Sequence, residues 1–405
     1  MNILFVTWDG PQVSYLEGLF LPIFQALKSQ GINFHILQFT WGDDASIEAR
    51  RIACQNAGCS YEVVKVIRKP VALGSLASAI QGSKHITRVI KQQNIDVVMP
   101  RSTLPALSSL LALRNRNERL VFDADGLPLD ERIDFSGQSS SGLVYRLLRD
   151  IEAQAVRRAD IVLTRSAKAI DILTARAGAQ TSSDKFHVVT NGRDTSVYTV
   201  GSTESRAATR ASLGLADSIP LLVYAGSIGP QYCIDEMLKL FEMILAKNST
   251  ARLLILTGSP DLANQALQSK PELMDLVIIK SVAIKEVPTY LACADLGLAF
   301  RQPAFSMQGV APIKLGEYLL CGLPVVATKG IGDTHVIDEK VGYLVEAMTD
   351  IELQEVADWF IADALPARTK MREQCRYVGV KYFSLEACAE SYKKALITVL
   401  QDEHE

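Results

Sequence analysis

Short apolar runs alternate with longer segments of helical periodicity, and this alternation constrains the fold of the chain more than any other feature. In the first half, the apolar runs lie at residues 3–7, 33–39, 62–67, 96–99, 120–123 and 161–164. The segments of helical periodicity lie near residues 13–30, 44–58, 74–93, 103–114, 141–158 and 166–177. This order is typical of β-α-β units, which assemble into a parallel, doubly wound sheet.

The same alternation begins again in the second half of the chain. Its candidate strands lie at residues 221–225, 252–257, 277–279, 296–300, 324–327 and 342–345. Residues 195–218 are rich in Ser, Thr, Ala and Arg and short of apolar runs, so we predict a linker there. A chain of 405 residues also exceeds what one core usually supports. We therefore predict an α/β protein with two Rossmann-like domains, at 1–194 and 219–384, that face a ligand-binding cleft.

Composition and charge exclude several classes of protein. Hydrophobic residues make up 48% of the chain and charged residues 21%, as in ordinary globular proteins, and the net charge of −3 gives no reason to expect a nucleic-acid partner. The seven cysteines include no C-x-x-C pair, so neither a disulfide framework nor a zinc knuckle is predicted. The N-terminus is predicted to be a first strand and not a signal peptide, and no apolar window is long enough to span a membrane. We expect a cytoplasmic protein.

The stretch from Pro312 to Ala327, PIKLGEYLLCGLPVVA, carries the most functional information. It predicts a helix that carries one outward carboxylate, Glu317, ends at Gly322 and leads into a short strand. A lone carboxylate beside a loop of small residues suits a ligand with paired hydroxyls, such as a ribose. The alternative is a surface helix that leads into a core strand. The stretch resembles the nucleotide-sugar-binding motif of retaining glycosyltransferases of family 4, which have the GT-B fold.

The resemblance implies both a function and an architecture. It implies transfer of a sugar from a UDP- or GDP-linked donor to a sugar hydroxyl, in bacterial surface polysaccharide or glycoconjugate assembly. The second domain would bind the donor, with Glu317 on the ribose, and the first domain would bind the acceptor. GT-B enzymes typically need neither a cofactor nor a bound metal, and we expect none here. The last helix of such proteins crosses back onto the first domain, and residues 385–400 are long enough to do so.

Two strand-turn motifs fit the resemblance, but one of them lacks the expected cations. The segment 191–194, Asn-Gly-Arg-Asp, resembles the N-G-x-D turn that precedes the interdomain linker, although an ordinary Asx turn has similar residues. The segment 224–229 resembles the turn that opens the donor domain, yet Ser227 stands at the place of the usual Arg and Gln231-Tyr232 near that of the usual Lys. Two phosphates still need cations or convergent N–H groups. The candidate ligands of the diphosphate are Gly226, Ser227, Lys280, Arg301 and Lys314. We favour Arg301, at the carboxyl end of its strand, over the alternative of a solvated arginine.

The loop before Pro312 also departs from the family pattern. Many members carry another glutamate eight residues before the ribose-binding one, and that position is Gly309 here. A subset of the family has the form P-x-K-x-x-E-Y without this glutamate. The predicted contacts to the sugar or the phosphates are then Ser306, Gln308 and the backbone amides of Gly309, Val310 and Ala311. The free N–H groups at the helix start face the same anion.

Charged residues crowd two strand ends in the first half of the chain. Asp125-Gly126 occupies the place of a His-Gly pair that family members have on the acceptor side. Asp125 is therefore the predicted catalytic group, which orients or deprotonates the acceptor hydroxyl. The other predicted acceptor-binding residues are Asp9, Gly10, Gln12, Asp130, Glu131 and Arg132. The alternative is a pair of solvated turns with salt bridges.

Basic residues of the first half indicate contact with a membrane. They are Lys65, Arg68, Lys69, Lys84, Arg88, Lys91, Arg114, Arg116 and Arg119. Each contributes about 1 kcal/mol near an anionic surface, although charged helix faces are usually only solvated. The predicted partners are thus a nucleotide-sugar donor, a glycan or lipid-linked glycan acceptor, and the inner face of a membrane. Two other functions stay open: a nucleotide-sugar epimerase of the same fold, and a catalytically silent subunit that binds nucleotide sugar.

Overall fold

The computed structural model describes residues 1–401 and divides into two compact units. The first unit contains Met1–Thr190, Gln308–Val310 and the chain from Cys388 onward. The second unit contains Asn191–Met307 and Ala311–Ala387. Each unit is built on a parallel sheet with helices, so the predicted pair of Rossmann-like domains is confirmed.

The sheet of the first unit has seven parallel strands in the order β3-β2-β1-β4-β5-β6-β7. The strands are β1 (Asn2–Trp8), β2 (Asn33–Thr40), β3 (Ser60–Lys65), β4 (Val97–Pro100), β5 (Arg119–Asp123), β6 (Ile161–Thr164) and β7 (Phe186–Val188). Every residue of β4 and β6 is buried, which is why these strands are continuous apolar runs in the sequence. The apolar runs therefore located the first six strands to within a few residues.

Seven helices follow the strands of this sheet, and an eighth ends the described chain. They are α1 (Leu21–Lys28), α2 (Asp44–Asn56), α3 (Val71–Gln93), α4 (Thr103–Ala112), α5 (Pro128–Ser136), α6 (Leu143–Arg158), α7 (Ala167–Ala177) and the last helix, α15 (Leu385–Gln401). From Cys388 onward, α15 groups with the first unit. Its Tyr392 is buried there, with the Arg165 guanidinium 5.7 Å from the ring, and the Cys388 thiol donates to the Thr190 carbonyl at 2.9 Å.

The sheet of the second unit has six parallel strands in the order β10-β9-β8-β11-β12-β13. The strands are β8 (Leu221–Ala225), β9 (Arg252–Leu256), β10 (Val277–Lys280), β11 (Leu296–Ala299), β12 (Val325–Thr328) and β13 (Gly342–Val345). The helices are α8 (Thr203–Ser212), α9 (Ile234–Lys247), α10 (Pro260–Leu267), α11 (Val287–Cys293), α12 (Ile313–Leu320), α13 (Asp350–Trp359) and α14 (Arg368–Phe383). Within residues 1–401, no helix is both long and apolar enough to cross a membrane.

The linker prediction for residues 195–218 is wrong, because this segment belongs to the second unit and contains α8. The helix begins after Ser202, whose side chain accepts a hydrogen bond from the Ser205 N–H. Arg206 and Arg210 on this helix are buried and both pair with Asp295, at 2.7 and 3.3 Å. The buried face of α8 carries these two arginines and not apolar side chains, so the hydrophobicity pattern did not predict the helix.

Both sheets contain a point where the order of the strands along the chain reverses. In the first sheet it lies between β1 and β4, and in the second between β8 and β11. At such a point the loops after two neighbouring strands leave in opposite directions, which opens a crevice at the carboxyl ends of the strands. The candidate sites are therefore expected just after β1 and β4 in the first unit, and just after β8 and β11 in the second.

Candidate functional site

Arg301 lies at the reversal point of the second sheet, close behind the end of β11. Its backbone is fixed by Thr328 at the end of β12, whose hydroxyl accepts from the Arg301 N–H and donates to the Arg301 carbonyl, both at 2.9 Å. The guanidinium carbon lies 4.3 Å from the centre of the Tyr232 ring. Its Nε is buried without a hydrogen-bond partner. This side chain is thus positioned by packing and keeps a donor unused.

Lys314 lies beside Arg301, in the first turn of α12, and its side chain is only 8% exposed. Its Nζ lies 4.0 Å from the centre of the Tyr224 ring and 5.0 Å from that of Tyr232, and it has no hydrogen-bond partner. Burial and, to a lesser degree, the positive charge of Arg301 lower the pKa of Lys314 well below its ordinary value. A buried amine without a partner is costly unless a ligand completes its hydrogen bonds.

The turn after β8 provides room for the Lys314 amine. Gly226 has a φ of +148°, and a Cβ on this residue would lie 3.0 Å from Lys314 Nζ. The Tyr224 hydroxyl donates to the Ser227 carbonyl, which holds the turn open in this shape. Gly226 therefore allows the backbone of the turn to approach the amine closely.

Together these residues form a cationic pocket, which we define as Lys314, Arg301, Gly226 and the rings of Tyr224 and Tyr232. Arg301 and Lys314 both contact the Tyr232 ring, and each has a buried donor without a hydrogen-bond partner in the described part of the chain. They lie where the strand order reverses, which is where α/β sheets bind ligands. An anion that binds between them would accept both sets of hydrogen bonds and favour the protonated form of the Lys314 amine, so the arrangement is suited to a phosphate or diphosphate. Sequence reasoning had named both cations and Gly226 but had not assigned a role to the two tyrosines.

Glu317 lies one helical turn beyond Lys314 and is held by two partners from the start of the second unit. Arg193 Nε donates to Glu317 Oε1 at 2.8 Å, and the Tyr198 hydroxyl donates to the same oxygen at 3.0 Å. Asn191 donates to the Ala311 carbonyl at 2.8 Å, which fixes the chain just before α12. Glu317 is therefore a positioned, largely buried carboxylate and not a freely outward one.

In the first unit, Arg101 connects the ends of three strands. It follows β4 and pairs with Asp125 after β5, at 2.5 Å, and with Asp9 after β1, at 3.7 Å. Asp125 remains 27% exposed, whereas Asp9 is buried and accepts from the Thr7 hydroxyl at 2.6 Å. The backbone of Asp125 is left-handed, with a φ of +53°, a conformation that Asp tolerates better than most residues. The geometry presents one accessible carboxylate at the reversal point of the sheet.

A second buried ion pair, between Arg165 and Asp123, fixes the turn that carries Asp125. Arg165 NH2 donates to both oxygens of Asp123, at 2.8 and 3.1 Å, and Asp123 Oδ1 accepts from the Asp125 N–H at 3.2 Å. The turn that carries Asp125 is thus anchored to the end of β6. Among residues 1–401, no three His, Cys, Asp or Glu side chains are grouped so that they could hold a metal ion.

A cavity of about 660 Å³ opens next to these residues in the first unit. Four of the residues predicted to bind the acceptor line it, namely Asp9, Gly10, Gln12 and Arg132. Gly10 is required by a close approach, since a Cβ there would lie 2.6 Å from an atom of the Trp41 ring. Most of the remaining lining is aliphatic or aromatic. The acceptor side of the sequence prediction thus coincides with a cavity large enough for a small molecule.

Two comparisons of sequence decide the family. A profile described as "Glycosyltransferase Family 4" matches residues 23–197, and one described as "Glycosyl transferases group 1" matches residues 219–363. The matched stretches correspond to the two units. The chain belongs to the family 4 glycosyltransferases.

Similar proteins agree with this family. The chain is 29% identical over 270 residues to a D-inositol 3-phosphate glycosyltransferase of Nocardia farcinica, covering 60% of this chain and 55% of the relative. It is 23% identical over 224 residues to a GDP-mannose-dependent monoacylated alpha-(1-6)-phosphatidylinositol monomannoside mannosyltransferase of Corynebacterium glutamicum, covering 54% and 56% of the two chains. The chain thus spans about half the length of the curated relatives it matches.

A solved structure shows the fold. The crystal structure of Anabaena Alr3699/HepE in complex with UDP and glucose superposes with a TM-score of 0.74, at 17% identity, covering 98% of this chain and 100% of that one. This family 4 chain therefore has the predicted GT-B fold.

Several residues that were predicted to bind the diphosphate or the sugar are not part of the cationic pocket. Lys280 ends the edge strand β10, two strands away from β8, which is roughly 10 Å at the usual spacing of strands. It is not part of the cationic pocket. Gly309 and Val310 group with the first unit, whereas Ser306, which is fully buried, groups with the second. Ser227 is exposed in the turn after β8, and its carbonyl accepts from the Tyr224 hydroxyl.

The structure does not place Asp130 among the residues that line the cavity. Both of its oxygens accept from Arg176, each at 2.8 Å, and Oδ1 also accepts from Tyr145 at 3.2 Å. Asp130 is buried and does not line the cavity, because α5 turns its side chain toward α7. Arg132, two residues further on, is exposed and lines the cavity instead.

The basic residues of the first unit are partly neutralised. Four of the nine pair with acidic side chains: Lys65 with Asp44, Arg88 with Glu62, Arg116 with Glu118 and Arg119 with Asp160. The guanidinium of Arg68 lies 4.2 Å from the centre of the Trp41 ring at the cavity. Contact with a membrane stays a prediction, and these pairs reduce the charge available for it.

Proposed function

We propose that this family 4 chain transfers a sugar, with retention of anomeric configuration, from a nucleotide diphosphate sugar to a hydroxyl of a glycan acceptor. The observation that carries the proposal is the cationic pocket, in which Lys314 and Arg301 keep unused donors at the reversal point of the second sheet. A nucleoside diphosphate supplies two adjacent anions of matching charge. We place the reaction in the assembly of a glycoconjugate or surface polysaccharide.

The second unit binds the donor in this proposal. Lys314 and Arg301 hold the diphosphate, and the N–H groups after Gly226 approach it from the turn. Glu317, oriented by Arg193 and Tyr198, accepts hydrogen bonds from the ribose hydroxyls. The donor is UDP- or GDP-linked, which is supported by the UDP of the Anabaena structure and the GDP-mannose of the Corynebacterium relative. The same two cations stabilise the charge that develops on the diphosphate as it leaves.

The first unit binds the acceptor. Asp125, fixed by Arg101, accepts a hydrogen bond from the attacking hydroxyl, and the residues around Asp9 and Gly10 hold the acceptor at the cavity. A carboxylate within hydrogen-bond reach of a hydroxyl orients it and accepts its proton as the new bond forms. Neither a cofactor nor a metal is invoked for any of these steps.

A thermal-shift screen with nucleotide sugars tests the proposal. A ligand that binds only the folded state stabilises it by RT ln(1 + [L]/Kd), which is about 2.7 kcal/mol at a hundredfold excess over Kd. We expect one UDP- or GDP-linked sugar, and the matching nucleoside diphosphate, to raise the melting temperature, and the nucleoside alone to raise it much less. A panel without any shift would contradict the proposal.

Replacing Glu317 by Gln is expected to weaken the recognition of the ribose. Loss of charge-assisted hydrogen bonds costs about 1.5–3 kcal/mol, and the loss should appear with ribonucleoside diphosphates more than with 2′- or 3′-deoxy analogues. Calorimetry on the two ligand series measures this ratio of affinities. Glu339→Gln, an exposed glutamate of the same unit, serves as the control. An unchanged ratio in Glu317→Gln would exclude the ribose role.

Binding of a nucleoside diphosphate is expected to take up a proton. The pKa of Lys314 is lowered by burial in the free protein, and a bound diphosphate raises it again, so the complex holds more protons than the free protein between these two pKa values. Affinity should therefore fall as pH rises from the lowered pKa of Lys314 in the free protein toward its pKa in the complex. Calorimetry in Tris and HEPES, which differ in ionisation enthalpy, detects the uptake. Equal heats in the two buffers would contradict it.

A further inference from the structure

The cavity of the first unit is far more apolar than recognition of a sugar requires. Aliphatic side chains from the four helices α3 to α6 line it, among them Val71, Leu73, Leu76, Leu104, Leu129 and Leu147. Trp8 and Trp41 close one side. Sugars are bound mainly by polar groups, whereas a pocket with this lining gains free energy from removing hydrocarbon from water. The lining therefore indicates a ligand with an apolar part.

The apolar surface continues outward from the cavity to its mouth. Val71 is 59% exposed, Leu73 67% and Val144 54%, although all three line the cavity. Large aliphatic side chains that are left this exposed around a cavity usually mark a binding site. A hydrocarbon chain that enters the cavity would cover them as well.

Two arginines at the cavity add a preference for an anion. Arg68 and Arg132 both line it, and within residues 1–401 neither forms an ion pair. The Arg68 guanidinium carbon lies 4.2 Å from the centre of the Trp41 ring, and this contact holds the guanidinium at the cavity wall. A guanidinium that has no carboxylate partner beside an apolar pocket suits a ligand that joins a hydrocarbon chain to a phosphate.

The polar end of the cavity leads to the proposed catalytic carboxylate. Asp9 lines the cavity and pairs with Arg101, which in turn pairs with Asp125. We infer that the cavity binds the hydrocarbon chain of an amphiphilic acceptor that carries an anionic group, with Arg68 and Arg132 on that group and the acceptor hydroxyl at Asp125. This inference rests on the proposed transfer function and specifies the class of its acceptor.

Binding of alkyl phosphates tests the inference without any nucleotide. The probes are ethyl, butyl and octyl phosphate and octyl glucoside, each below its critical micelle concentration. The readout is tryptophan fluorescence, because Trp8 and Trp41 line the cavity. We expect the dissociation constant to fall about fourfold for each methylene that is buried. Arg68→Met and Arg132→Met should weaken octyl phosphate and leave octyl glucoside unchanged.

Variants of residues that line the cavity distinguish binding in the cavity from nonspecific binding to other exposed apolar side chains. Ala72→Phe fills the cavity and Leu147→Asp makes its mouth polar, so both should abolish the dependence on chain length. Leu147 is 45% exposed, so its variant should fold even if the filled cavity does not. Ile80→Asp is the matched control, an exposed aliphatic residue on α3 outside the cavity. Equal loss in Ile80→Asp, or affinity independent of chain length in the native protein, would overturn the inference.

The result also separates this inference from the proposed function. Binding that depends on alkyl chain length, with no response to any nucleotide sugar, would support the inferred role of the cavity and contradict the proposed transfer. Donor binding and transfer to short acceptors, without any dependence of binding on alkyl chain length, would support the proposed transfer and overturn the inferred role of the cavity.

Discussion

Lys314→Met is expected to weaken the binding of nucleoside diphosphates by at least about 30-fold, which corresponds to about 2 kcal/mol for the loss of one partner of a desolvated, hydrogen-bonded charge pair. Methionine keeps the length of the side chain between the rings of Tyr224 and Tyr232 but removes the amine. Because that amine is buried without a partner in the free protein, its removal should raise the free energy of unfolding by about 1 kcal/mol. Calorimetry and urea unfolding measure the two effects.

These opposite changes distinguish a binding lysine from a structural one. A structural lysine would lower stability when it is removed and would affect affinity only through that loss. Lys280→Met is the matched control, because Lys280 belongs to the same unit but ends the edge strand β10, outside the cationic pocket. Its diphosphate affinity should stay within about twofold of the native protein. A Lys314→Met protein that binds UDP and GDP as tightly as the native chain would show that the cationic pocket does not bind the donor.

Asp125→Asn is expected to lower transfer by roughly 10²- to 10⁴-fold, the usual range for a positioned group that accepts a proton. Asparagine keeps the shape of the side chain and tolerates the left-handed backbone at this position. Donor affinity should change by no more than a few fold, since the donor residues belong to the second unit. Initial rates of transfer and calorimetry with the nucleoside diphosphate provide the two readouts.

The control for Asp125 is an aspartate of the same unit that lies on the surface. Asp171 is exposed on α7, so Asp171→Asn should leave the rate of transfer unchanged. If Asp125→Asn retained full transfer, or if it lost donor binding to the same extent, Asp125 would have a structural role through its pair with Arg101.

The sequence pattern predicted most of the fold because parallel strands buried on both sides are continuous apolar runs. It failed where polar residues replaced apolar ones in the interior, as in α8 with its buried Arg206 and Arg210. It also missed α5, which begins at Pro128 in the charged segment after β5, where no helix was predicted. Burial of charge is set by partners that are distant in the sequence, and a local pattern does not contain them.

The sequence indicated which residue types would form the candidate site better than it indicated where each of them lies. Arg301 and Asp125 follow the ends of β11 and β5, whereas Lys314 and Glu317 lie on α12, and their roles stay predictions. The positions of Lys280 and of Asp130 were not predictable in this way, because the first depends on the order of strands and the second on a pair with Arg176.

The partners that orient the carboxylates were missed for a related reason. Arg193 and Tyr198 lie 124 and 119 positions from Glu317 in the chain. Arg101 did have a usable signal, since it is a single charged residue directly after an apolar run. Only the reversal of strand order between β1 and β4 shows that this strand end adjoins the one that carries Asp9.

Proton NMR of the reaction product tests the central claim most directly. The donor should be the nucleotide sugar that gives the largest thermal shift, incubated with the protein and an alkyl glycoside acceptor. We predict a new glycoside whose anomeric configuration is that of the donor sugar, together with one equivalent of free nucleoside diphosphate. An inverted product, a donor sugar that is epimerised without transfer, or a donor that binds but is never consumed across a panel of acceptors would contradict the account.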